Sequence, residues 1–128
     1  MNWGAVGSMF LALAVGLGAF GAHGLRDQLD AYEMGVYEKA VFYHFVHALG
    51  ILILPVMEKA GLISFAGASR VGWMLTAGVL LFSGSLYVLA ITGVRMLGVV
   101  TPFGGVAFIA AWATLAWYLA QYSDRSRT

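Results

Sequence analysis

Four long stretches of the chain carry no charged residue, and short charged clumps separate them. Met1–Leu25, Ala40–Met57, Val71–Val94 and Met96–Ser123 contain no Asp, Glu, Lys or Arg, in runs of 25, 18, 24 and 28 residues. A hydrocarbon core of about 30 Å is crossed by about 20 apolar residues in a helix. The pattern therefore predicts four transmembrane helices, near 3–23, 40–57, 71–92 and 102–122. The second run is the shortest, and Glu38, Lys39, Glu58 and Lys59 at its ends are expected to snorkel. Arg95 is the single charge between the third and fourth runs. The stretch from Gly93 to Pro102 is accordingly expected to be a tight connection, with Pro102 in the first turn of the fourth helix, where its missing N–H is harmless. Met1–Phe10 has no Lys or Arg, so the first run is expected as a span and not as a cleaved signal peptide, which requires a basic start.

The predicted fold class is an all-α membrane protein, an antiparallel four-transmembrane-helix bundle forming a single membrane domain over residues 1–128. One charged segment of some length, Arg26–Lys39, joins helices 1 and 2. There Leu29, Tyr32, Val36 and Tyr37 recur at helical spacing, with Asp27, Asp30, Glu33 and Glu38 between them. This predicts a short interfacial amphipathic helix, with a solvated loop around Gly35 as the competing possibility.

Composition changes the picture by exclusion. Hydrophobic residues make up 61% of the 128 and charged residues 10%, seven basic and six acidic, and the mean hydropathy is +0.84. Soluble domains are about a quarter charged. A soluble enzyme, a disordered chain and a nucleic-acid binder (the net charge is only +1) all fit poorly. With no cysteine, disulfides, thiolate chemistry and Cys-based metal sites are ruled out. Four spans put both termini on one side, with Lys59, Arg70, Arg125 and Arg127, against Arg26, Lys39 and Arg95 on the other. The positive-inside rule then expects both termini in the cytoplasm.

Small residues predict how the helices pack. Gly4, Ser8, Ala12 and Gly16 make one stripe along helix 1; Ala14, Gly18 and Ala22 make a second. Gly104, Gly105, Ala107, Ala110, Ala111 and Ala113 thin helix 4. Such stripes allow close backbone approach in lipid, which suits a tight bundle, an oligomer face or a gating hinge. Trp3, Trp73, Trp117, Tyr118 and Tyr122 fall near span ends, as in aromatic belts. Trp112 lies deeper, and its indole N–H is expected to need a partner inside the bundle.

Polar side chains at membrane depth are the candidate chemistry. They are His23, His44, His47, Ser83, Ser85, Tyr87 and Thr101. Because spans alternate in direction, all seven belong to one half of the bilayer. A polar pocket near one membrane face is expected, formed by His23, His47, Ser83, Ser85, Tyr87 and Thr101, with His23, His47, Tyr87 and Thr101 approaching one another. His44 and His47 share a helix face, and with His23 could present three nitrogens to zinc, copper or haem iron, with Glu38 adding an oxygen. No carboxylate lies at depth to orient these rings, so no cofactor is predicted. No acid orients a His beside Ser83 or Ser85 either, so no hydrolase is read here. Gly16, Gly18 and Gly21 match a dinucleotide-binding spacing, but inside a span with no preceding strand.

Four segments together resemble a known family. They are Gly18-Ala-Phe-Gly-Ala-His-Gly-Leu25, Tyr43–His47-Ala-Leu49, Phe82-Ser-Gly-Ser-Leu-Tyr87, and Thr101-Pro-Phe-Gly-Gly105 followed by Trp112. In order and over essentially the whole chain, they are similar to the small four-span membrane proteins known as domain of unknown function 423, mostly from bacterial inner membranes, with a similar small eukaryotic protein. The resemblance implies the four-helix topology and a multi-pass place in the bacterial inner membrane. It implies no activity. Its motif covers His23, His47, Ser83, Ser85, Tyr87, Thr101, Pro102, Gly104 and Gly105; His44 is outside it. Three functions remain: a non-catalytic bundle acting as an accessory or assembly module, a small transporter or channel with a His/Ser/Tyr-lined vestibule, and a metal- or haem-binding redox protein. Expected partners are membrane lipids and a second copy or a companion membrane protein, not nucleic acid.

Overall fold

A computed structural model describes the backbone of residues 1–125 and the side chains as far as Ser123. Arg127, one of the four basic residues assigned to the side of the termini, lies outside the described residues. The chain forms α1 (Trp3–His23), α2 (Ala31–Lys59), α3 (Phe65–Gly78), a π-helical segment (Val79–Ser83), α4 (Gly84–Thr92), a short 3-10 segment (Arg95–Val99) and α5 (Thr101–Arg125). The α3, π and α4 stretches run on as one span, Phe65–Thr92, so four helices are long and apolar enough to cross a membrane.

Capping sets the helix starts. Asn2 accepts from the Ala5 N–H, and Ser64 from the Gly67 N–H. At Asp30 the capping box is complete: its carboxylate accepts from the Glu33 N–H at 2.7 Å, and Glu33 accepts from the Asp30 N–H at 3.0 Å. That box corrects the expectation for residues 26–39. There is no separate interfacial helix: residues 26–29 turn, and from Ala31 the segment is the start of α2. At 1.5 Å per residue α2 is roughly 44 Å long, well beyond a core of about 30 Å. Its charged first turns are an overhang, not an independent element. The third span likewise begins at Phe65 instead of 71, because Ser64 caps it and Arg70 is carried outward, donating to the Tyr118 hydroxyl. In both places a charge at the edge of an apolar run does not end the helix. Gly93, in the left-handed region at φ 72°, does end α4. Pro102 then lies in the first turn of α5, as the sequence predicts.

Contact pairs give the register. Gly4 faces Pro55, Gly7 faces Leu52, Gly18 faces Val41 and Gly21 faces Tyr37, so α1 and α2 run in opposite directions. The same reversal holds between the third span and α5, where Gly67 meets Tyr118, Gly78 meets Phe108 and Gly104 meets Phe82. Between these pairs, Gly50 of α2 meets Leu75 of α3. The largest core, Trp3, Ile51, Leu54, Val71, Leu75, Phe108 and Leu115 among others, fills the half nearer the N-terminus; a smaller one of Leu25, Tyr37 and Ala90 fills the other.

Backbones touch at two of these crossings. A Cβ on Gly7 would lie 2.6 Å from the Leu52 backbone nitrogen, and one on Gly104 would overlap the backbone of Phe82, inside the π-helical segment. The α1 residues that do the packing are Gly7, Ala14, Gly18 and Gly21. The stripe expected from Gly4, Ser8, Ala12 and Gly16 mostly faces outward: Ser8, Ala12 and Gly16 are exposed, and nothing approaches Gly16 within 4 Å. Two tryptophans also exchange places with expectation. Trp3 is buried, 3% exposed, against Gly72 and edge-on to Trp73. Trp112 is 38% exposed, with its ring edge on Gly50 and tilted beside the His47 ring. The buried indole N–H without a partner is that of Trp3.

Gly104→Ala should destabilise the bundle by about 1–3 kcal/mol through overpacking against backbone that has no rotamer to yield. Gly16→Ala should be neutral or slightly stabilising, since helix propensity favours Ala and space is open. Unfolding titrations in mixed micelles read both; equal losses at the two positions would contradict the assigned packing face.

Candidate functional site

Seven residues separate Tyr37 from His44, which places both on one face of α2. That face meets α1 and α4. The Tyr37 hydroxyl donates to the Leu17 carbonyl of α1 at 2.5 Å, and its ring stands edge-on to Tyr87 of α4 at 5.3 Å. His44, 4% exposed, places Nδ1 3.1 Å from the Tyr87 hydroxyl and packs edge-on against Phe10 of α1. With the phenol as donor the imidazole proton sits on Nε2, on the side of the Phe10 backbone of α1, where it forms no hydrogen bond of good geometry. Tyr37, His44 and Tyr87 thus lock three helices together.

His47 is held differently. Its Nδ1–H donates to the Tyr43 carbonyl one turn back at 2.6 Å, which fixes the tautomer. Its ring stacks on Phe108 of α5 with centroids 3.4 Å apart and planes 13° apart, and lies parallel to Tyr43 on the same helix. Phe82 joins this stack against Tyr43 at 4.4 Å.

A second polar pair fastens α4 to α5. Ser85 donates to the Phe82 carbonyl at 3.0 Å, which uses its one proton. Thr101 therefore donates to Ser85 Oγ across 2.7 Å. Next to it Ser83 is fully buried and its hydroxyl has no partner. It ends the π-helical segment.

Sequence-expected residues are therefore partly gathered and partly dispersed. Ser85 joins Thr101; Tyr87 joins His44, not His47; His47 turns to Phe108. His23 is exposed in the last turn of α1. The α1–α2 register sets it roughly 16 Å along the axis from His47, at 1.5 Å per residue. The expected approach of His23 to His47 is therefore not formed, and among the described residues no hydrogen bond or ring contact joins His23 to Tyr87 or Thr101. Nor is the three-histidine cluster formed: among the described residues no three His, Asp or Glu side chains gather to hold a metal ion. Depth differs too. The register sets His44 and His47 level with the middle of α1, well inside the bundle and not at its face. His44 lies outside the sequence motif; its depth in an apolar run singled it out, but its partner Tyr87 was not signalled by spacing. The aromatic partners Phe10, Phe82 and Phe108 carry no polar mark that could single them out.

Two grooves border this polar layer, one at Tyr37 and the other at Thr101. One, about 620 Å³, runs between α1 and the first turns of α2, with Arg26 and Glu38 among its lining residues. The other, about 460 Å³, lies beside Lys39, Leu86, Thr101 and Pro102.

Comparison with known proteins gives this architecture a family. Residues 17–105 match the family described as protein of unknown function (DUF423). The chain belongs to that family. Its DUF423 region spans every polar residue just described. Similar proteins include a UPF0382 membrane protein of Staphylococcus haemolyticus, 47% identical over 110 residues, covering 86% of this chain and 88% of the relative. The UPF0382 membrane protein YwdK of Bacillus subtilis is 41% identical over 117 residues, covering 91% and 94%. No solved structure matches. The protein is thus a membrane protein of a family without an assigned activity.

Hydrogen bonds between membrane helices average roughly 0.6 kcal/mol and reach about 1.7. Tyr87→Phe should therefore cost about 1 kcal/mol, and a double-mutant cycle with His44→Leu should return a coupling of that size. A cycle pairing Tyr87→Phe with His47→Leu should return about zero; the reverse assignment would contradict this geometry.

Proposed function

We propose that this protein is a non-catalytic membrane module, a closed helix bundle that serves as an accessory or assembly unit through its outer faces. The observation that carries this proposal is how the mid-depth polar groups are used. Tyr37, His44, His47, Ser85, Tyr87 and Thr101 each bond to another of the set or to a backbone carbonyl across or along the helices. The grooves reach this set only at Tyr37 and Thr101, whose hydroxyls are already bonded within the bundle; neither is lined by His44, His47, Ser83, Ser85 or Tyr87. Pairs of this kind act as glue between helices, and none combines a nucleophile, a base and an orienting acid. Its setting is the bacterial cell membrane, with both termini on the cytoplasmic side, and its partner is a second copy or a companion membrane protein.

One observation favours a second reading, a small transporter or channel. Ser83 Oγ is buried without a partner, and water in a hydrated vestibule would supply one.

The two readings part on water access. The chain has no cysteine, so single replacements report cleanly. Ser83→Cys and Ser85→Cys should react with a membrane-impermeant maleimide at least about tenfold more slowly than Asp27→Cys and Arg95→Cys, because a dry site withholds the thiolate. Labelling of position 83 or 85 at the loop rate would overturn the closed bundle in favour of a vestibule.

A further inference from the structure

We propose that the groove between α1 and the overhanging start of α2 binds one zwitterionic phospholipid bearing a primary ammonium, its phosphate on Arg26 and its ammonium on Glu38. The groove holds about 620 Å³, inside the ~300–1,000 Å³ typical of small-molecule sites. That is room for a headgroup and part of a chain. Its concavity is written in the sequence: Gly18, Gly21 and Ala22 of α1 contribute almost no side chain, while Phe42 and Phe45 of α2 rise beside them. Phe42 is 63% exposed and Phe45 40%, so this wall faces the surroundings of the bundle.

Charge sits at one end only. Arg26 follows the C-terminus of α1, and Glu38 lies just beyond the apolar run of α2, so both occupy the end where the chain leaves the hydrocarbon. The rest of the groove, past Val41 and Phe45, descends apolar toward mid-depth. This is the layout of a phospholipid: a polar head above one apolar tail. Among the described residues neither Arg26 nor Glu38 has an ion-pair partner. The groove thus presents one free guanidinium, which takes a phosphate bidentately, and one free carboxylate, which accepts from an ammonium. An anionic lipid with an uncharged glycerol headgroup would satisfy the arginine and meet repulsion or nothing at Glu38. An apolar helix would leave both charges without partners. A second copy joined by two-fold symmetry would bring the same hollow face and leave the groove unfilled. The groove borders the closed centre at Tyr37, whose hydroxyl proton is already given to the Leu17 carbonyl and so is not offered to the lipid.

Native mass spectrometry of the full chain in mild detergent tests the assignment. The probes are phosphatidylethanolamine and phosphatidylglycerol with identical acyl chains, and soluble phosphoethanolamine as the head without its tails. A single phosphatidylethanolamine adduct is expected, retained about fivefold over phosphatidylglycerol, the scale of one partly shielded ion pair. Glu38→Gln should bring that ratio to about one with unchanged helix content. Ala22→Trp, at an exposed position that needs no repacking, should reduce both adducts several-fold by filling the groove. Soluble phosphoethanolamine should not displace the lipid; displacement would show that the head alone is the ligand and overturn the lipid assignment. Equal retention of the two lipids by the native chain, or a preference that survives Glu38→Gln, would also overturn it. So would a dimer without lipid that Glu38→Gln dissolves.

Discussion

In hydrocarbon the burial of apolar side chains no longer drives helices together, so dispersion and polar pairing must hold a bundle, and both act only at close range. Here that range is set where side chains are missing. Gly7 lets the backbone of α1 meet that of α2 at Leu52, and Gly104 lets α5 meet the π-helical segment at Phe82. The polar contacts follow from these crossings. Tyr37 reaches the Leu17 carbonyl because Gly21 admits its ring. Thr101 reaches Ser85 because Gly104, one turn on, lets α5 lie against Phe82. Remove the close approach and each hydroxyl and imidazole would face lipid with no water to replace its partner.

The π-helical turn belongs to the same economy. In the widened turn between Gly78 and Gly84 the Gly84 N–H reaches back five residues to the Val79 carbonyl, and just beyond it the Ser85 hydroxyl bonds the Phe82 carbonyl. Aromatic rings cover the other side: Phe108 lies against Gly78 and under His47, with Tyr43 and Phe82 completing the stack. His47 is therefore as much a flat packing surface as a polar group.

Charge-free runs located all four spans, because a charge at depth is costly enough to be visible by its absence. Helix ends were less legible. Charges at Glu38, Lys39 and Arg70 mark where hydrocarbon stops, whereas Asp30 and Ser64 mark where helices start, and the two differ by up to nine residues here. The membership of the polar layer was largely legible from residue type. Its pairing was not, since partner choice depends on the angle at which α2 and α4 cross. So His44, which the motif omits, takes Tyr87, and His23, which the motif contains, stands apart. The outward stripe of Ser8, Ala12 and Gly16 and the inward face of Gly7, Ala14 and Gly21 are equally small, and spacing alone does not say which one packs.

The bundle that results is shut at the level of its histidines and open at its flanks, where small residues of α1 leave a hollow beneath Arg26 and Glu38. On the closed-bundle reading proposed above, its chemistry lies in what it touches, not in what passes through it. The most direct measurement of that claim is water-edited solid-state NMR of the protein in lipid bilayers, labelled at histidine and serine. The account predicts that side-chain signals of His44, His47 and Ser83 receive no magnetisation from water while exposed His23 receives it promptly. Transfer to His44 or Ser83 as fast as to His23 would mean that water fills the centre of the bundle, and the closed account would be wrong.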